Sequence, residues 1–102
     1  MPTLEEITER LRRALAQGEG LGRTVTLDLR GEGFVHVAAG EVVNEDRPAD
    51  LRVSVSRADL SRLGKGELDP MRAMMTGRLR LSDMGLAMGM RDQIQSLFAR
   101  LS

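Results

Sequence analysis

The chain has 102 residues, 15 basic and 15 acidic side chains, no cysteine and two aromatic residues, Phe34 and Phe98. That length suits one domain spanning residues 1–102. The cancelled charge and scarce aromatics exclude the basic, base-stacking footprint of a nucleic-acid binder and a polybasic patch for anionic lipid, and the missing thiols exclude disulfides, zinc thiolates and thiol catalysis. No apolar run approaches the roughly 20 residues of a membrane span. The acidic N-terminus carries no signal-peptide pattern. A cytoplasmic protein is expected, with at most a transient membrane contact.

Thr3 and Glu6 form a capping box, and Leu4, Ile7, Leu11, Ala14 and Leu15 recur at helical spacing, which predicts a helix over residues 4–17. Gly18, Gly20 and Gly22 stop it. They come after a helix and before a strand, the reverse of the dinucleotide-binding order, and no Lys-Ser/Thr of a phosphate loop follows. Arg10, Arg12 and Arg13 form a small basic cluster with Glu5, Glu6 and Glu9 nearby, which is the pattern of a solvated helix face.

The period then changes to two. Val25, Leu27 and Leu29 alternate with Thr26, Asp28 and Arg30, Gly31-Glu32-Gly33 makes a tight connection, and residues 34–39 return. A short strand at residues 42–43 follows Gly40-Glu41, and residues 44–50 form a polar loop with Pro48. Leu51, Val53 and Val55 alternate with Arg52, Ser54 and Ser56. Ser56 caps a short helix through residue 63, with Asp59 as its capping-box partner. Asp69-Pro70 starts the next helix, since the carboxylate caps and proline sits where no amide donor is needed, and Gly77 ends it. Leu79 and Leu81 mark a fifth strand, and Asp83 caps a last helix over residues 84–101. Strands with one polar face each predict an α+β layer: a five-stranded, mainly antiparallel sheet with helices packed on one face and the other face largely in water.

Few residues offer catalytic chemistry. His36 is the only histidine and sits mid-strand beside no evident partner. Ser54 and Ser56 lack a Gly-x-Ser-x-Gly elbow, and nothing in the sequence joins Asp28 to Asp83. One histidine and no cysteine leave no protein-built transition-metal site, so neither a metal, a cofactor nor a catalytic residue is expected.

Six of the seven methionines fall between residues 71 and 90, at Met71, Met74, Met75, Met84, Met88 and Met90. Unbranched thioethers pack softly and adapt to a flexible guest, although the same residues serve as ordinary core. The run Met84-Gly85-Leu86-Ala87-Met88-Gly89-Met90 carries no charge on any side. A helix apolar all round is buried all round or borders a cavity. Gly85 and Gly89 share one face and permit close approach of a backbone or a ligand.

Between residues 48 and 90 the chain reads Pro48-Ala49-Asp50, Val53-Ser54-Val55-Ser56, Ala58-Asp59-Leu60, Leu63, Gly66, Leu68-Asp69-Pro70, Ala73, Gly77, Leu79 and Asp83-Met84-Gly85-Leu86-Ala87-Met88. In order and approximate spacing this pattern resembles the sterol carrier protein 2 domain family. The resemblance implies a sterol-carrier-like fold with an apolar space between sheet and helices, and binding or transfer of fatty acids, acyl-CoA, phospholipids or sterols without catalysis. The family's apolar pair falls on Met74 and Met75, and its pocket-lining last helix on Met84, Leu86, Ala87, Met88 and Met90. The expected ligand-binding set is thus Met71, Met74, Met75, Leu79, Leu81, Met84, Leu86, Met88, Met90, Leu97 and Phe98, with Arg72 and Arg91 as candidate head-group contacts. Where the family has Leu-Ala-x-Lys-Leu this chain has Leu-Ala-Met-Gly-Met, so a lysine near the implied mouth is lost. The alternative is an interaction module that buries the same apolar surface against a second copy or a larger partner.

Overall fold

The computed structural model describes residues 2–17 and 22–101, so Gly18 and Gly20 of the expected glycine stop lie outside the described residues, and Gly22 has φ 70°. In chain order the elements are α1 (Leu4–Ala16), β1 (Val25–Asp28), β2 (Phe34–Ala38), β3 (Glu41–Val43), β4 (Leu51–Val55), α2 (Arg57–Gly64), α3 (Pro70–Met75), β5 (Leu79–Leu81), α4 (Met84–Gly89) and α5 (Arg91–Leu101). The strands form one sheet in the order β3-β2-β1-β4-β5. Only β1 and β4 run parallel; the other neighbours are antiparallel. The α+β, mainly antiparallel architecture is the expected one.

Register sorts the side chains. Val25 lies opposite Val37 and Leu51, and Leu27 opposite Val35 and Val53, so one face of the sheet is a continuous apolar surface. Ile7 and Leu11 of α1, Leu60 and Leu63 of α2, and Leu97, Phe98 and Leu101 of α5 join it in a single core. Each fully buried Leu or Ile contributes about 1.5–3 kcal/mol by leaving water.

Helix starts follow the sequence. Thr3 Oγ1 accepts from the Glu6 amide at 3.2 Å and Glu6 Oε1 accepts from the Thr3 amide at 3.3 Å. Ser56 Oγ accepts from the Asp59 amide at 3.1 Å. The Asp59 carboxylate does not reciprocate as expected; Arg62 and Arg78 hold it at 3.6 and 3.4 Å, because two cations outcompete a neutral amide. Asp69 accepts from the Arg72 amide and Asp83 from the Leu86 amide. Gly77, at φ 75°, closes α3: its amide donates to the Met74 carbonyl, and the Arg78 amide to the Ala73 carbonyl at 2.8 Å. Gly33 is favoured by its φ of 124°, and a β-carbon there would also push aside the end of the Leu4 side chain, whose Cδ2 would stand 2.7 Å away.

Two expectations are corrected. The helix expected over residues 84–101 is broken at Met90 (φ −105°, ψ 12°), whose amide is shared between the Leu86 and Ala87 carbonyls. Gly89, just before it, weakens the helical ladder at that point. The second face of the sheet is also drier than its pattern suggests. Thr26 is fully buried and His36 nearly so, since the 44–50 loop crosses over them. Thr26 Oγ1 lies 2.8 Å from both the Arg47 carbonyl and His36 Nδ1. The hydroxyl has one proton and gives it to the carbonyl, so Nδ1 of His36 carries a hydrogen and donates to Oγ1. Farther along that face Arg52 bridges Asp28 and Asp46 above the Phe34 ring.

Candidate functional site

Strand β5 is an edge strand, and beyond it the sheet gives way to a groove of about 500 Å³. The volume falls in the roughly 300–1,000 Å³ range of small-molecule sites. Leu79 and Leu81 supply the strand side of the groove. Their register opposite Val55 and Val53 continues the apolar face of the sheet directly into it. Helix α3 contributes Pro70, Met71 and Met74, with its capping Asp69; α4 contributes Met84, Ala87 and Met88. Helix α5 closes the groove with Arg91, Asp92, Ile94, Gln95 and Phe98.

The methionines divide by exposure. Met90 is buried and Met74 half-buried, whereas Met71, Met84 and Met88 expose 61, 48 and 59% of their surface. Three thioethers on the rim thus face solvent above an interior of Leu79, Ala87 and Phe98, which are buried. The groove is open along this rim, not a sealed void.

Of the residues expected from sequence, Met71, Met74, Leu79, Leu81, Met84, Met88, Phe98 and Arg91 come together here. Met75, Leu86, Met90, Leu97 and Arg72 do not. Met75, 83% exposed, points off the end of α3, where Gly77 turns the chain away. Met90 and Leu97 are buried in the core, Leu86 packs against it, and Arg72 is exposed outside the groove. The sequence reading missed Asp92, Ile94 and Gln95. The four-residue step from Ile94 to Phe98 on one helix face was the available signal for Ile94; the polar Gln95 gave none. Asp69 and Pro70 were read only as a helix start. Gly85 and Gly89 approach no backbone: a β-carbon on Gly89 would meet nothing within 4 Å, and one on Gly85 only Asp83 Oδ1 at 3.5 Å.

The polar groups gather at the α4–α5 break. A second depression of about 440 Å³ begins there and shares Met88, Arg91 and Asp92 with the groove. The Arg91 side chain is exposed and has no ion pair or hydrogen-bonding partner among the described residues. Among those residues no group of three or more His, Cys, Asp or Glu is placed to hold a metal ion, and no helix is long and apolar enough to cross a membrane.

A mixed sheet backed by helices, with a largely apolar groove at its edge, defines an α+β domain. The chain belongs to the SCP-2 sterol transfer family, whose model matches residues 2–95. The fold is shared with the solution structure of the sterol carrier protein domain 2 of Helicoverpa armigera, at 21% identity over 97% of this chain and 79% of that one, with a TM-score of 0.61. A crystal structure of sterol carrier protein 2 superposes with a TM-score of 0.63, at 18% identity over 93% of this chain and 92% of that one. UbiJ-SCP2, a ubiquinone synthesis protein, gives 0.61 at 16% identity over 95% of each chain. No curated protein sequence matches the chain. Family membership supports lipid binding and transfer in general terms.

Proposed function

We propose that this chain binds and transfers a lipid without chemical conversion, with the apolar part of the lipid in the groove between β5, α3, α4 and α5 and its polar end toward Arg91. The observation that carries the reading is a groove of about 500 Å³ with an apolar interior and polar side chains confined to Asp69, Arg91, Asp92 and Gln95. Fatty acids, acyl-CoA, phospholipids and sterol-like molecules all present that division. Enclosing about a dozen methylenes yields on the order of 10 kcal/mol gross, at about 0.8 per methylene. Immobilising the ligand returns several of those, which leaves roughly micromolar binding.

The decisive test uses a fluorescent fatty acid and mass spectrometry of lipids that co-purify with the protein. Wild-type protein is expected to bind the probe, and Met88→Glu, which puts a charge on an already exposed rim position, to weaken it at least about tenfold while the circular dichroism spectrum is retained. Unchanged probe binding by Met88→Glu would overturn the assignment of the groove.

A second reading, self-association through the apolar residues of this surface, is supported by Met75, which is 83% exposed and lies outside the groove. Native mass measured across a concentration series separates the two. A dimer that carries no lipid and binds no probe favours the second.

A further inference from the structure

The rim methionines have a chemistry that apolar packing does not use. We propose that Met71, Met84 and Met88 are sites of reversible oxidation and that their conversion to sulfoxides closes the groove to apolar ligands; the inference rests on the lipid-binding reading of that groove. The chain has no cysteine to compete for a peroxide. Four of the described methionines are well exposed, and three of them, Met71, Met84 and Met88, line the groove; the fourth, Met75, lies outside it, and Met90 is 4% exposed. Accessibility therefore directs a hydroperoxide to the binding rim before the core.

The step balances simply. A sulfur lone pair attacks one oxygen of hydrogen peroxide, the O–O bond breaks and an S–O bond forms; the proton on the attacked oxygen passes to the departing hydroxide, which leaves as water. The thioether is oxidised by two electrons and the peroxide is reduced. A flexible apolar side chain becomes a polar one with a strong acceptor oxygen. On the open rim that oxygen is solvated by water, so the fold is undisturbed. A lipid tail lying across the rim strips that water and gives the sulfoxide no donor in return. Met75 is an internal control within the same chain, since it is equally available to peroxide but lies outside the groove.

The test exposes the full chain to a graded series of hydrogen peroxide, maps sulfoxides by peptide mass spectrometry, and measures binding of a fluorescent fatty acid at each stage. Met71, Met75, Met84 and Met88 are expected to oxidise before Met74 and Met90. Probe affinity is expected to fall at least about tenfold with an unchanged circular dichroism spectrum, and to return after treatment with methionine sulfoxide reductases. In the variant Met71→Leu/Met84→Leu/Met88→Leu, whatever its starting affinity, the ratio of affinities before and after peroxide is expected to stay near one. Full oxidation of the rim with unaltered probe affinity would overturn the inference alone, as would an equal peroxide-dependent loss in the triple variant. A reduced wild-type protein that takes up no probe would overturn the lipid-binding reading and this inference with it.

Discussion

Thr26 is the residue on which the second face of the sheet turns. It is the polar member of a strand whose neighbours Val25 and Leu27 point into the core, and alternation alone assigns it to water. The 44–50 loop instead buries it, and its hydroxyl becomes the joint between the Arg47 carbonyl and His36 Nδ1. Thr26→Val keeps the shape and removes the joint, so both partners lose a hydrogen bond in a dry place. Urea denaturation is expected to report a loss of about 1–3 kcal/mol. That role was illegible in the sequence, because a loop's path over a strand is a tertiary event that period-two patterning does not encode. Glu32 is a milder case. The hydrogen bond from the Arg57 side chain holds its carboxyl below the ordinary value of 4.5, outweighing the opposing effect of desolvation. A depressed folded value means that its contribution is present above pH 4.5 and is lost as the pH falls through the lowered value. The side chain is exposed and screened, so the effect is small. The urea midpoints of wild type and Glu32→Gln are expected to differ at neutral pH and to converge in acid.

Among the elements, α4 keeps half of what its composition promised. An uncharged run with two glycines four apart reads as a helix buried all round or bordering a cavity, with a close neighbour at the glycines. It borders the groove through Met84, Ala87 and Met88, but Ala87 is its only buried residue and no neighbouring backbone packs on the glycines. The glycines therefore cost helix stability without a packing return. Gly89→Ala is expected to raise the unfolding midpoint, by up to about 1 kcal/mol of stability, because the new methyl meets open space and the backbone there is not left-handed. A loss of stability on thermal melting would contradict the open surroundings of Gly89. Helix starts, by contrast, were legible almost to the residue. Thr3, Ser56, Asp69 and Asp83 cap through bonds to amides three residues ahead, and a cap is a local device that a local reading finds. What the local reading misassigned was direction. Met74 and Met75 are adjacent in the chain, yet one lines the groove and the other stands in solvent. A successive helical residue lies about 100° further round, and only the position of the neighbouring strand decides which of the two looks inward.

For the molecule as a whole, the sheet and its three covering helices α1, α2 and α5 were legible from alternation and helical period, since their apolar residues meet in one core. The parallel pairing of β1 with β4 was not, because it joins residues 25–28 to residues 51–54 across two intervening strands. The groove arises from the same arrangement. With β5 at the edge, the short helices α3 and α4 lie beyond the last hydrogen-bonded strand and complete the wall without joining the main core in force.

Helix α4 is held by one buried alanine and the half-buried Leu86, between a capped start and a break at Met90. A segment held so lightly opens at a cost far below that of global unfolding. Amide hydrogen exchange is expected to find α4 among the first elements to lose protection, well ahead of β1 and β4. Uniform protection across all helices would refute this. If the groove takes the proposed lipid, a pliant wall and a rigid frame are separate parts of one chain: ligands of different girth would be accommodated by moving six residues, while the sheet that keeps the protein folded would not have to yield.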